Sequence, residues 1–112
     1  MLCNFASQDA ITIYKGDSLD VEFTVSYEDG TLVDLTTFNA RFVVFETSIS
    51  KNSTNPAQIT ILTPATAGKL RVHLVPADTA ALPNNHEYTY DAELYDGSGN
   101  VYTFAQNTFK VV

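Results

Sequence analysis

The sequence has one cysteine and no tryptophan. Cys3 alone can form no intrachain disulfide and no cysteine-based metal site, which excludes the disulfide-stapled class of small domains. Basic residues are few: 6 Lys and Arg stand against 13 Asp and Glu, for a net charge of −7. Such a chain repels phosphate backbones and anionic membrane surfaces, so neither nucleic acid nor membrane is expected as a partner. No apolar run approaches the 18 or so residues of a spanning helix. The N-terminal stretch Met1–Ala6 lacks the basic start and long apolar core of a signal peptide, so synthesis in a cytoplasm is the expectation.

Apolar residues are plentiful, at 45% of the 112 positions, while only 17% are charged. That is a core-forming composition, and the length suits one domain, read as residues 1–112 with 1–9 as an N-terminal arm. Helical periodicity is nearly absent. Short runs rich in Val, Ile, Thr, Phe and Tyr recur instead, broken every 8 to 15 residues by turn residues. The clearest is Leu19 to Tyr27. There Leu19, Val21, Phe23, Val25 and Tyr27 alternate with Asp20, Glu22, Thr24 and Ser26, giving one buried and one wet face.

Further strands are expected at Ala10–Tyr14, Ala40–Glu46, Gln58–Thr63, Lys69–Val75, His86–Tyr95 and Val101–Val112. A bulge is expected near Gln106 and Asn107. Thr47–Ala57 reads as a polar exposed loop. Pro76–Pro83 reads as a short helical turn capped by Asp78 or Thr79, carrying the chain between sheets. Seven short antiparallel strands with one crossover before the sixth is the count of an immunoglobulin-like all-β sandwich. Without the cysteine pair and the core tryptophan, it is not an antibody-type domain.

Catalytic chemistry finds little footing. The sequence contains no nucleophile elbow, no phosphate-cradling glycine loop and no closely spaced histidine pair. His73 and His86 both read as surface residues. The carboxylates Asp20 and Glu22, and likewise Asp91 and Glu93, share strand faces, but a glycosidase also needs a deep cleft. Asp96-Gly97-Ser98-Gly99-Asn100 has calcium-like oxygen spacing yet no remote bidentate glutamate, and is read as a hairpin turn. Asn52-Ser53-Thr54 fits the glycosylation pattern without a secretory context. The expectation is a protein that is no enzyme, with no cofactor, no metal and no catalytic residue.

What does stand out is apolar character on the outward side of the third, sixth and seventh strands, which share one sheet in an immunoglobulin-like sandwich. Val43 and Phe45 lie opposite Phe42 and Val44, and Tyr95 lies opposite Leu94. On the last strand either Tyr102 and Phe104, or Val101, Thr103 and Ala105, face out. Val43, Phe45, Tyr95, Tyr102 and Phe104 are therefore the expected protein-contact residues, forming an aromatic patch with few charges. The competing reading is that the 47–57 loop or the N-terminal arm folds over this face.

Several phrases resemble the small immunoglobulin-like domains of tailed-bacteriophage particles, baseplate upper proteins among them. They are Ile11-Thr12-Ile13-Tyr14-Lys15-Gly16-Asp17, Asp29-Gly30-Thr31-Leu32-Val33-Asp34-Leu35-Thr36 and Ala40-Arg41-Phe42. Pro76-Ala77-Asp78-Thr79-Ala80-Ala81-Leu82-Pro83, Tyr90-Asp91-Ala92-Glu93-Leu94 and Asp96-Gly97-Ser98-Gly99-Asn100-Val101-Tyr102 fit the same group. The resemblance spans residues 10 to 111 and implies a virion building block. Its partners would be other virion proteins and copies of itself. This sequence has no long helical or receptor-carrying extension, so a small tail, baseplate or neck accessory subunit is expected. A capsid decoration (cement) protein is the alternative, and a carbohydrate-binding adhesion module using Tyr95 and Tyr102 is the third.

Overall fold

The computed structural model describes residues 10–112. Its strands are β1 (Ile11–Ile13), β2 (Leu19–Thr24), β3 (Asn39–Val44), β4 (Ser50–Asn52), β5 (Ile59–Ile61), β6 (Lys69–Leu74), β7 (His86–Tyr95) and β8 (Val101–Val111). A single helical turn, α1 (Pro76–Thr79), joins β6 to β7. The strands form a five-stranded sheet ordered β1-β8-β7-β3-β4 and a three-stranded sheet ordered β2-β6-β5.

That order is immunoglobulin-like. The β3, β7 and β8 strands take the places of C, F and G, and β2, β6 and β5 those of B, E and D. The added β4 lies beside β3 as C′ does in variable-type domains. The first strand pairs parallel with the last, Ile11 beside Phe109 and Ile13 beside Val111. All other strand pairs are antiparallel.

The alternation of β2 and β6 produces the sandwich directly. Phe23, Leu70, Val72 and Leu74 are buried, while Asp20, Glu22, Lys69, Arg71 and His73 point to the other side. Opposite them, Phe42, Val44, Tyr90, Ala92 and Leu94 close the core from the five-stranded sheet. In place of a disulfide, an aromatic cluster joins the sheets. The Phe23 ring lies 5.5 Å from Phe104, 6.1 Å from Tyr90 and 6.4 Å from Phe42. Tilted and edge-on rings at these distances add attraction beyond their buried area. Near one end of the sandwich, Gly68 has φ +69°, and a Cβ there would meet the Val25 carbonyl oxygen at 2.7 Å. Only glycine fits so close an approach.

Two expectations are corrected, and a third is narrowed to one of its alternatives. The 47–57 segment is not an exposed loop: it turns back through Val44 N–H to the Ile49 carbonyl and forms β4 against β3. Ile49 and Lys51 are both buried. The Lys51 ammonium sits 2.8 and 3.0 Å from the two Asp78 oxygens, fastening β4 to the helical crossover. Asp78 caps α1 by reaching back, its Oδ2 accepting the Val75 N–H at 2.8 Å. Thr79 is not a cap; its buried hydroxyl accepts the Gly16 N–H at 2.9 Å.

The bulge of the last strand also lies earlier than Gln106. Ala92 pairs with Ala105 but Glu93 with Thr103, so Phe104 is the extra residue. An extra residue reverses the inward and outward sense beyond it. Phe104 and Ala105 are consequently both buried. The N-terminal arm and Cys3 lie outside the described residues.

Candidate interaction face

The outward residues of β3 and β7 meet on the open side of the five-stranded sheet. Val43 is half-buried there, and Phe45, just beyond the end of β3, is 44% exposed. The Phe45 N–H donates to the Thr89 carbonyl at 2.9 Å, so the backbone beneath the ring is fixed. Tyr95, half-buried, is held on both sides. Its hydroxyl donates to Asn52 Oδ1 at 2.9 Å, and the Arg41 guanidinium lies 5.0 Å from the ring centroid. Arg41 in turn donates from Nε and Nη2 to Glu93 Oε1, at 3.0 and 2.7 Å.

The register explains the cluster. Arg41 is directly opposite Glu93, and Asn52 is opposite Arg41 on the other side. Aromatic and arginine side chains that are already ordered lose little freedom on contact with a partner, which is why they anchor interfaces. Sequence reasoning did not single out Arg41. The signal was nevertheless present, since Arg41 is two residues before Val43 and shares its face.

Val43, Phe45 and Tyr95 are thus brought to one face, but Tyr102 and Phe104 are not. Tyr102 pairs with Leu94 and turns inward, its ring edge-on to Phe38 at 6.1 Å. Phe104 is 3% exposed and belongs to the core. The expected charge-poor aromatic patch is corrected to a smaller apolar area, Val43 and Phe45, bordered by a polar band. That band includes Arg41 with Glu93, and Asp91, whose Oδ1 accepts the Gln106 side-chain N–H at 2.6 Å. The adhesion reading loses Tyr102 as an outward ring, and the Tyr95 hydroxyl is already engaged.

The chemical candidates are each occupied. Asp20 binds His73 Nδ1 at 2.8 Å, and Glu22 binds Arg71 at 3.2 Å, both on the three-stranded sheet. Asp91 and Glu93 lie on the opposite side of the sandwich, so the two carboxylate pairs cannot flank one substrate. Thr60, His73 and Asp20 do form a hydroxyl–imidazole–carboxylate row, with Thr60 Oγ1 2.8 Å from His73 Nε2. The same hydroxyl lies 2.8 Å from the Pro56 carbonyl and donates there. The Pro56 carbonyl and the imidazole thus compete for the hydroxyl's one proton. The His86 ring packs at a tilt against Tyr88, with centroids 4.6 Å apart.

Asp96 is a turn residue. Oδ1 accepts the N–H groups of Ser98 and Asn100, and Oδ2 accepts the Asn100 side-chain N–H. These bonds, the Asn100 side chain first, hold its carboxyl below the usual aspartate value. The carboxyls of Asp29 and Asp34 are lowered in the same way by the Thr31 backbone and the Thr36 hydroxyl. Asn52 Oδ1 is bonded to Tyr95 and to the Thr54 N–H. Among the described residues, no three His, Cys, Asp or Glu side chains gather as metal ligands. Nor is any helix there long and apolar enough to cross a membrane.

No protein-family profile and no curated protein matches the chain. Among solved structures it is similar to extracellular domains 3–5 of Drosophila OTK, at 10% identity and a TM-score of 0.42. The match covers 99% of this chain and 34% of that one.

Proposed function

We propose that this chain is a non-enzymatic binding module of a tailed-bacteriophage particle, a small tail, baseplate or neck subunit that works through protein contacts. The particle assignment rests on the sequence phrases between Ile11 and Tyr102 that resemble virion immunoglobulin-like domains. The binding assignment is carried by one observation. Phe45 stands 44% exposed on a fixed backbone just past Val43, at the other end of the face that carries the ordered Arg41–Tyr95 pair. Its partners are other virion proteins and further copies of itself in a symmetric assembly.

Quantitative mass spectrometry of purified particles tests this reading. A few to a few dozen copies per particle is the expected result. Hundreds of copies would move the protein to the capsid surface as a decoration subunit, and absence from the particle would overturn the virion reading altogether.

A further inference from the structure

Two sheets that do not close on themselves leave four outer strands, β1, β4, β2 and β5. Three of these are only three residues long; β2 has six. Among the described residues, β2 pairs with β6 alone, and none of them pairs with its other edge.

The direction of its backbone groups follows from the ladder. The His73 N–H donates to the Gln58 carbonyl, away from β2, at 2.9 Å, and the Val25 N–H donates to the Gly68 carbonyl. Asp20 and His73 are therefore a non-hydrogen-bonded pair, and the alternation turns the N–H and C=O of Asp20, Glu22 and Thr24 outward. Beside this edge runs a groove of about 320 Å³ between β2 and the start of β1, with Ile11, Leu19, Val21 and Phe23 among its lining. An edge of this kind accepts an added strand: main-chain bonds supply affinity, and alternate side chains supply specificity.

The neighbour that β2 already has indicates what it selects. The β6 strand reads Lys69-Leu70-Arg71-Val72-His73-Leu74, with its aliphatic residues in the core and its basic ones outside. Arg71 meets Glu22 and His73 meets Asp20. Both carboxylate side chains remain accessible, 44% exposed for Glu22 and 57% for Asp20. We infer that the outer edge of β2 docks an extended segment of a partner protein in which basic and aliphatic residues alternate. Its aliphatic side chains enter the groove and its basic ones meet Asp20 and Glu22. Residues 1–9 contain no Lys or Arg, so this chain's own N-terminal sequence does not match that charge pattern. The inference concerns a different surface from Phe45 and holds whether or not the protein belongs to a virion.

The probe is a seven-residue peptide alternating lysine and valine, titrated into the full-length protein and followed by backbone amide NMR. Shifts are expected at residues 19–24 and 10–12. Affinity should fall about tenfold when salt rises from 50 to 500 mM, because surface charges are screened. A peptide of the same composition with lysines and valines in separate blocks, and one alternating glutamate and valine, should each bind at least about fivefold more weakly. Glu22→Pro removes an outward N–H together with the carboxylate and should abolish binding, whereas Glu22→Gln, which keeps the N–H, should only weaken it. Asp20→Lys with Glu22→Lys should abolish it too, without altering the backbone. Equal binding of the glutamate peptide, or shifts away from β2, would overturn the inference. So would a tenfold gain in affinity on Leu2→Asp with Phe5→Asp, which would identify the chain's own N-terminal residues as the occupant.

Discussion

The two sheets present opposite kinds of surface to water. On the outside of the three-stranded sheet, Asp20 meets His73, Glu22 meets Arg71 and Thr60 meets His73, so partners are found across neighbouring strands. The outside of the five-stranded sheet begins in the same manner, with Arg41 on Glu93 and Gln106 on Asp91. It then departs from it at the end of β3, where Val43 and Phe45 remain partly in water. A paired polar surface costs little to leave solvated, whereas an apolar one is stabilised by being covered. The contrast is between an outer face whose polar groups pair across neighbouring strands and one that leaves apolar side chains in water.

The comparison is broken most severely through the core that separates the two faces. Phe104→Ala removes a ring that packs edge-on to Phe23, and should destabilise the fold by about 3–5 kcal/mol in denaturant titrations. A loss below about 1 kcal/mol would return Phe104 to the surface. Next in size is Lys51→Ala. It leaves the Asp78 carboxylate without its cation at a largely buried position, with an expected cost of about 3 kcal/mol. Because this pair ties β4 to α1, hydrogen exchange in β4 should accelerate more than exchange in β6.

Arg71→Ala, on the paired face, should cost less than about 1 kcal/mol, since that ion pair is solvent-exposed on both sides. The smallest effect concerns the loop carboxylates. Turn hydrogen bonds lower the values of Asp29, Asp34 and Asp96 in the folded chain. Their contribution is complete above the unfolded aspartate value of about 3.9 and is lost as pH falls through the lower folded values. Unfolding midpoints measured from pH 6 down to pH 2 should therefore drop less steeply for Asp96→Ala than for the natural sequence.

The sandwich was legible because β2 and β6 obey a strict period of two, and the turns at Asp29-Gly30 and Asp96–Asn100 contain the residues that tight turns need. What escaped reading has physical causes. Ser50-Lys51-Asn52 carries no hydrophobic alternation, and the burial of Lys51 depends on Asp78, twenty-seven positions away. The inward turn of Tyr102 and Phe104 hinges on a bulge. A bulge is one residue of slack in pairing with β7 and leaves no mark in composition. Either set of residues on the last strand satisfied alternation alone. The structure uses both in sequence, Tyr102 before the bulge, Phe104 at it and Ala105 after it. Of the five residues expected to face outward, Val43, Phe45 and Tyr95 do so because β3 and β7 alternate without interruption where they stand.

The most direct test is incorporation of Phe45→Asp into particles, measured against the natural sequence together with its thermal unfolding. Phe45 lies outside the core, so its unfolding temperature should stay within a few degrees of the natural protein's, and its incorporation should be lost. A folded variant that enters the particle at the natural level would contradict the assignment of this face as the site of contact.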